Sequence, residues 1–296
     1  MSADPAQAAP EGAPPSAKPA GKPSMSDLGP RVASAIVMIS AALGSLWAGG
    51  QIFILFWLAA SLAILWEWQR LIGGARERAR FFYGVLALVG AAVFQANRAP
   101  ELAFLCLAAG AVALAFVAES GRRLWSAAGV LYAGSLLIAI ILLRSSILRG
   151  FEGVMWLFAV VWSTDIMAYF GGRLIGGPKL WPAVSPSKTW SGFLVGTICA
   201  SLAGWSALRW QLGPAEVATL PILLLGWGTA ALSQAGDFFE SGLKRRFSVK
   251  DAGHLIPGHG GVMDRLDGFL VAAIFAAILG SYKAGMNSAA LGLLNW

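Results

Sequence analysis

Five of the chain's 15 acidic residues fall within 31 consecutive positions: Asp237, Glu240, Asp251, Asp264 and Asp267. Between the first and last of them run Lys244-Arg245-Arg246, Lys250 and the stretch Gly253-His254-Leu255-Ile256-Pro257-Gly258-His259-Gly260-Gly261. Each of these residue types suits phosphate chemistry. Carboxylates hold Mg²⁺, which binds through one or two of them together with substrate phosphates. Lysine and arginine neutralise phosphate charge, and glycine lets backbone N–H groups come close to phosphate oxygens. Acids, bases and glycines in one segment therefore point to phosphoryl or nucleotidyl transfer. A solvated basic loop between two helices has the same composition, and at this level both readings stand.

A second polar patch, Ser185-Pro186-Ser187-Lys188-Thr189-Trp190-Ser191-Gly192, offers Lys188 and Thr189 at the expected start of a helix. Free N–H groups there can hold an anion, although helix capping explains a Ser or Thr equally well. Asp165 differs from both patches because it lies deep in an apolar run, flanked by Ser163, Thr164 and Tyr169. A carboxylate at such depth costs roughly 2.5–3.5 kcal/mol on insertion scales and is by default a functional-site candidate. A hydrogen bond to a neighbouring helix is the structural alternative. His254 and His259 are the only histidines, and without nearby cysteines or an H-E-x-x-H spacing they do not make a zinc site. Cys106 and Cys199 both sit among apolar residues as packing material.

The elements that must position these residues are helices in a membrane. Of 296 residues, 57% are hydrophobic and only 12% are charged, against about 25% charged in a typical soluble domain. That excludes a soluble enzyme, a disordered chain and a disulfide-stapled one. The expected architecture is an all-α polytopic integral membrane protein. A span needs roughly 20 apolar residues, and about nine candidates satisfy this: 32–49, 52–68, 81–97, 100–118, 124–143, 152–172, 190–208, 215–236 and 266–284. Residues 1–30 hold seven of the 14 prolines and no apolar signal-peptide core, and read as a disordered tail. Residues 31–150 then form a hydrophobic scaffold and 151–296 the catalytic region. Trp47, Trp66, Trp68, Trp125 and Trp210 at span ends read as interface anchors.

Alternating sides through nine spans from an N-terminus in the cytoplasm puts 17 Lys and Arg on that side and five on the other. This is the positive-inside bias. It accounts for the net charge of +7 without nucleic acid. It also places the polar segments 173–189 and 237–265 together on the cytoplasmic face, where nucleotides and Mg²⁺ are available.

The 27-residue run from Ser241 to Asp267, S-G-L-K-R-R-F-S-V-K-D-A-G-H-L-I-P-G-H-G-G-V-M-D-R-L-D, closely resembles the signature of the phosphatidate cytidylyltransferases, or CDP-diacylglycerol synthases. Gly236-Asp237, the Ser185–Gly192 patch and Asp165-x-x-x-Tyr169 resemble the same family's patterns, so the likeness runs from about residue 160 to the C-terminus. Ser191 departs from it, since many members carry Glu at that position. The resemblance implies transfer of a cytidylyl group from CTP to phosphatidic acid, with Mg²⁺ as cofactor and pyrophosphate as second product. Asp237, Asp264, Lys244 and Arg265 are then the expected catalytic residues. Asp237 and Asp264, together with Asp267 and Asp165, are the expected metal ligands. Ser185, Lys188, Thr189, Ser241, Arg245, Lys250, His259, Gly260 and Gly261 are expected to bind substrate. The enzyme is expected in the inner membrane, its site facing the cytoplasm, and a homodimer is left open. Two other readings compete: a transporter with Asp165 as its ion or proton site, and another CTP-dependent membrane transferase such as a polyprenol kinase.

Overall fold

The computed structural model describes residues 28–253, 255–256 and 260–296. Nearly all of the tail expected over 1–30 lies outside that range, as do His254, Pro257, Gly258 and His259. Among the described residues nine helices of 18 residues or more follow one another: α1 (Leu28–Ala48), α2 (Gly50–Ile72), α3 (Glu77–Ala96), α4 (Pro100–Val117), α5 (Arg123–Arg144), α6 (Gly150–Leu174), α7 (Trp190–Leu212), α8 (Thr219–Arg246) and α9 (Met263–Ala284). A short α10 (Ala289–Leu294) closes the chain. The helices occupy the nine places expected from the apolar runs. Seven of them, α2 to α7 and α9, are long and apolar enough to cross a membrane. In α1 the apolar stretch Val32–Ala48 is shorter than these. α8 is diluted by Ser233, Gln234, Asp237, Glu240 and its basic last turn.

The helical body expected from the sequence carries one small addition. The segment before α7 forms an antiparallel pair, β1 (Lys179–Trp181) and β2 (Ser185–Thr189), in which Lys179 faces Thr189 and Trp181 faces Ser185. The eight strand residues, preceded by Pro178 and split by Pro182-Ala183-Val184, carry no apolar periodicity, so hydropathy alone does not reveal them.

α5 is the central helix, with Leu136 to Leu143 buried without interruption. Beside it, Trp57 of α2, Phe158 of α6 and Phe269 of α9 form one aromatic cluster. The Trp57 and Phe269 rings are stacked 5.2 Å apart, and those of Phe158 and Phe269 lie 5.4 Å apart. The scaffold helices thus share a core with the helices that carry the chemistry. At the α2–α3 turn the chain reverses at Gly73 (φ 60°), and fully buried Arg80 donates to the carbonyls of Gly73 (2.8 Å) and Gln69 (3.4 Å). A cation on the carbonyl end of a helix is favourably placed.

Contacts between turns sort the loops into two ends of the bundle. At one end Arg149 pairs with Glu216, Arg144 donates to Leu46 O, and Ile147 N donates to Asn287 O. At the other, Ala75 N donates to Glu119, Trp125 packs edge-on against Phe247, and Arg245 Nε donates to Val184 O. The segment 174–189 and the described residues 245–253 and 260–263 share this second end with the α2–α3 and α4–α5 turns.

Candidate active site

At that second end four elements converge on a cavity of about 390 Å³. Its wall includes Asp165, Tyr169 and Arg173 of α6, Lys188 of β2, and Gln234 and Asp237 of α8. Lys188 Nζ lies 2.6 Å from Asp237 Oδ2 and 4.6 Å from the centre of the Phe238 ring, so one lysine is held by a carboxylate and an aromatic face together. Thr189, next in the chain, caps α7: its hydroxyl accepts from Gly192 N at 3.1 Å. Thr189 thus caps α7 and at the same time lines the cavity. Ser191 sits between Thr189 Oγ1, 3.0 Å away, and the carbonyl of Gly176, to which it donates, and so fastens the turn after α6. Ser185 is buried in the hairpin.

The acids continue inward from the cavity. α8 runs unbroken past Asp237, which puts Asp237, Glu240, Ser241 and Lys244 on one face. α9 crosses this face at very close range. A Cβ on Gly268 would lie 2.5 Å from Asp237 Oδ1 and 2.7 Å from Ser233 Oγ, and one on Gly236 would lie 2.6 Å from Asp267 O. Small residues at the crossing are what let two helices come this near. The consequence is chemical: the carboxylates of Asp237, Glu240 and Asp267 are brought close enough to feel one another's charge. Lys244 then bridges Glu240 (2.9 Å) and Asp264 (2.7 Å).

Asp264 stands in the first turn of α9, and both of its oxygens are engaged. Besides Lys244, it accepts from Ala252 N (3.0 Å) and Gly261 N (2.8 Å). It therefore folds the loop between α8 and α9 back onto the helix, and the amide of Gly261 is turned toward this carboxylate. Gly260 is at φ +83° and its carbonyl accepts from Ile256 N at 2.9 Å. Arg265 is exposed on α9 and its charge reaches Asp165.

The structure thus brings together Asp165, Lys188, Asp237, Asp267, Lys244, Asp264 and Gly261. Ser241 is half-buried on the same helix face, whereas Arg245 and Lys250 are exposed. Arg245 is committed to the hairpin through Val184 O. His259 lies outside the described residues. Two contributors come from the half read as scaffold. Tyr132 of α5 stacks on Phe239, with ring centres 5.8 Å apart. Glu67 of α2, fully buried, accepts from Val262 N and Met263 N. The signal for Glu67 was present as an acid at the end of an otherwise apolar run, Leu-Ala-Ile-Leu-Trp-Glu.

This site carries five carboxylates (Asp165, Asp237, Glu240, Asp264, Asp267) together with four cations (Lys188, Lys244, Arg265 and, on the cavity wall, Arg173). A model of the cytidylyltransferase family matches residues 29–282, nearly the whole described chain. The chain belongs to that family. A protein of Brucella abortus named phosphatidate cytidylyltransferase is 41% identical over 269 residues, covering 88% of this chain and 96% of its own length. A protein of Brucella suis bearing the same name shows the same identity and coverage. A third of that name, from Staphylococcus haemolyticus, is 45% identical over 124 residues, 41% of this chain and 46% of its own. The match to the cytidylyltransferases spans the scaffold helices as well as the site. It reaches further than the motif-based likeness, which begins near residue 160.

Proposed function

We propose that this chain transfers the cytidylyl group of CTP to phosphatidic acid, leaving CDP-diacylglycerol in the bilayer and releasing pyrophosphate. The observation that carries the reading is the Lys188–Asp237 pair facing Asp165 across a cavity of about 390 Å³, in a chain of the cytidylyltransferase family. The names of the Brucella and Staphylococcus relatives supply the substrate.

The phosphate monoester of phosphatidic acid is already ionised near neutral pH, so one of its oxygens can attack the α-phosphorus of CTP without a strong general base. A bond forms between that oxygen and the α-phosphorus. The bond from the α-phosphorus to the α–β bridging oxygen breaks, and pyrophosphate departs. The obstacle is repulsion between two anions, and the residues at hand address it. Lys188 projects into the cavity from a hairpin that α8 holds through Arg245, and is placed to meet phosphate oxygens. Arg265 supplies a second cation on the same side, and Lys244 offsets the acids behind. Asp237 keeps Lys188 extended toward the cavity, and the Gly236–Gly268 crossing keeps Asp237 in place.

Among the described residues no three Asp, Glu, His or Cys converge as a complete metal cage. Mg²⁺ needs no such cage, since one or two carboxylates plus substrate phosphates suffice, and the cavity wall offers two, Asp165 and Asp237. Asp237 and Asp165, on the cavity wall, are its direct ligands in this reading, with Asp267 beside them. Asp264 joins them only by giving up part of its bonding to Lys244, Ala252 and Gly261. When bound, Mg²⁺ would neutralise triphosphate charge and support the departure of pyrophosphate. In this reading all nine long helices cross the inner membrane from a cytoplasmic N-terminus, so the site faces the cytoplasm, and the enzyme works as a monomer or a homodimer.

The test gives purified protein radiolabelled CTP, Mg²⁺ and phosphatidate in mixed micelles. Label in an organic-extractable lipid with matching pyrophosphate release, both lost on chelation, is expected. Release of CDP in place of pyrophosphate would identify a lipid kinase. Solute flux in vesicles without any CTP turnover would identify a transporter.

A further inference from the structure

Glu67 lies on α2, fully buried, yet its partners are 195 and 196 positions away. Oε1 accepts from Val262 N at 2.9 Å and Oε2 from Met263 N at 2.8 Å, so the carboxylate straddles the first free amides of α9. A negative charge there is favoured by the helix dipole and forms charge-assisted hydrogen bonds. The loop is shaped to admit it. A Cβ on Gly253 would stand 2.4 Å from Glu67 Oε1, and one on Gly261 would stand 2.6 Å from the same atom. On the opposite side of this loop Asp264 takes the amides of Ala252 and Gly261. The described parts of this loop, Ala252-Gly253 and Gly260 to Met263, are therefore held between two carboxylates, one from α9 and one from α2. Glu67 is not among the described residues of the cavity wall, so its effect on the reaction runs through what it holds.

We propose that Glu67 is a positioning residue: by fixing the amides of Val262 and Met263 it sets the start of α9, and with it Asp264 and the Lys244 pair, relative to Asp237. Its kinetic consequence rests on the function proposed above, whereas its structural consequence does not. In Glu67→Gln one side-chain N–H₂ faces a backbone N–H, so one of the two bonds is replaced by opposed donors. A displacement of about 1 Å costs roughly 10²-fold in rate.

The experiment uses the full chain in detergent or nanodiscs. Glu67→Gln is expected to lower kcat by about 10- to 100-fold with KM for CTP and phosphatidate little changed. Amide exchange at Val262 and Met263 should speed up while the rest of α9 stays protected. Glu67→Asp, which keeps the charge, should recover part of the lost kcat. A Glu67→Gln enzyme with wild-type kcat overturns the proposal. So does one whose kcat falls while exchange at the two amides is unchanged. If Glu67→Gln does not fold, Val262→Pro decides: φ of −67° at Val262 suits proline, and the change deletes one of the two N–H groups. A fall in kcat at unchanged melting temperature supports the role, and wild-type kcat overturns it. Should the wild-type protein itself make no labelled lipid, the function reading fails by itself. Exchange at Val262 and Met263 that quickens in Glu67→Gln would still support the clasp, and unchanged exchange would overturn it.

Discussion

At the cavity end of the charge array, Lys188 and Asp237 keep 25% and 21% of their side-chain surface exposed, whereas at the inner end Lys244, Glu240 and Asp264 keep 17%, 2% and 7%. Both ends use the same chemistry, a lysine against carboxylates at 2.6 to 2.9 Å. They differ in what else reaches them. Asp237 and Lys188 face open volume shared with Asp165, so their remaining valence is available to a ligand. Asp264 faces backbone amides of its own loop, so its valence is spent on shape. In the function proposed above, an ion pair with access is a place for substrate and an ion pair without access is a fastening. The motif that contains both does not distinguish them, because residue type is common to the two and access is not.

Three substitutions put this contrast to the test. Asp237→Asn, at the open end, is expected to cut kcat/KM by about 10²–10³-fold, as loss of a preorganised charge in a site does. The melting temperature should change little, since Lys188 can turn to solvent. Radiolabelled-lipid assays alongside thermal unfolding check both halves. Lys244→Met, at the closed end, should do the reverse in emphasis. It strands Glu240 and Asp264 without their cation, and breaking a buried pair costs about 3–5 kcal/mol. The expected result is a large drop in melting temperature in detergent at neutral pH; an unchanged melting temperature would mean that the inner pair is no fastening at all. Gly268→Ala pushes a Cβ to within 2.5 Å of Asp237 Oδ1 and is expected to reduce kcat by about tenfold while the protein stays folded. Gly228→Ala on α8 is the control, because its Cβ meets nothing within 4 Å and activity should be unaffected.

Much of the site was legible before any coordinates. The cluster from Asp237 to Asp267 stands out in a chain this poor in charge, and the helical spacing of Asp237, Glu240 and Lys244 predicts their common face. Asp165 was conspicuous because a carboxylate within an apolar run needs a reason. Thr189 illustrates the opposite case: its chemistry suits a ligand and a cap equally, and in the structure it caps α7 and lines the cavity at once. Glu67 escaped because its partners are backbone amides nearly two hundred residues away, and amides carry no mark in a sequence. The hairpin at 179–189 escaped because its strands are three and five residues long, too short for a period to register.

Hydropathy and charge are local properties, summed along the chain, and so residue order was enough to establish the helical membrane body, the alternation of its loops and the region rich in acids and bases. Pairing is not local. Whether Lys188 meets Asp237, how closely α8 and α9 cross at Gly236 and Gly268, and which carboxylate closes on the glycine loop depend on how helices from both halves pack around α5. Those relations exist only once the chain is folded, because a salt bridge or a cap is a matter of a few ångströms between groups that the chain itself holds far apart.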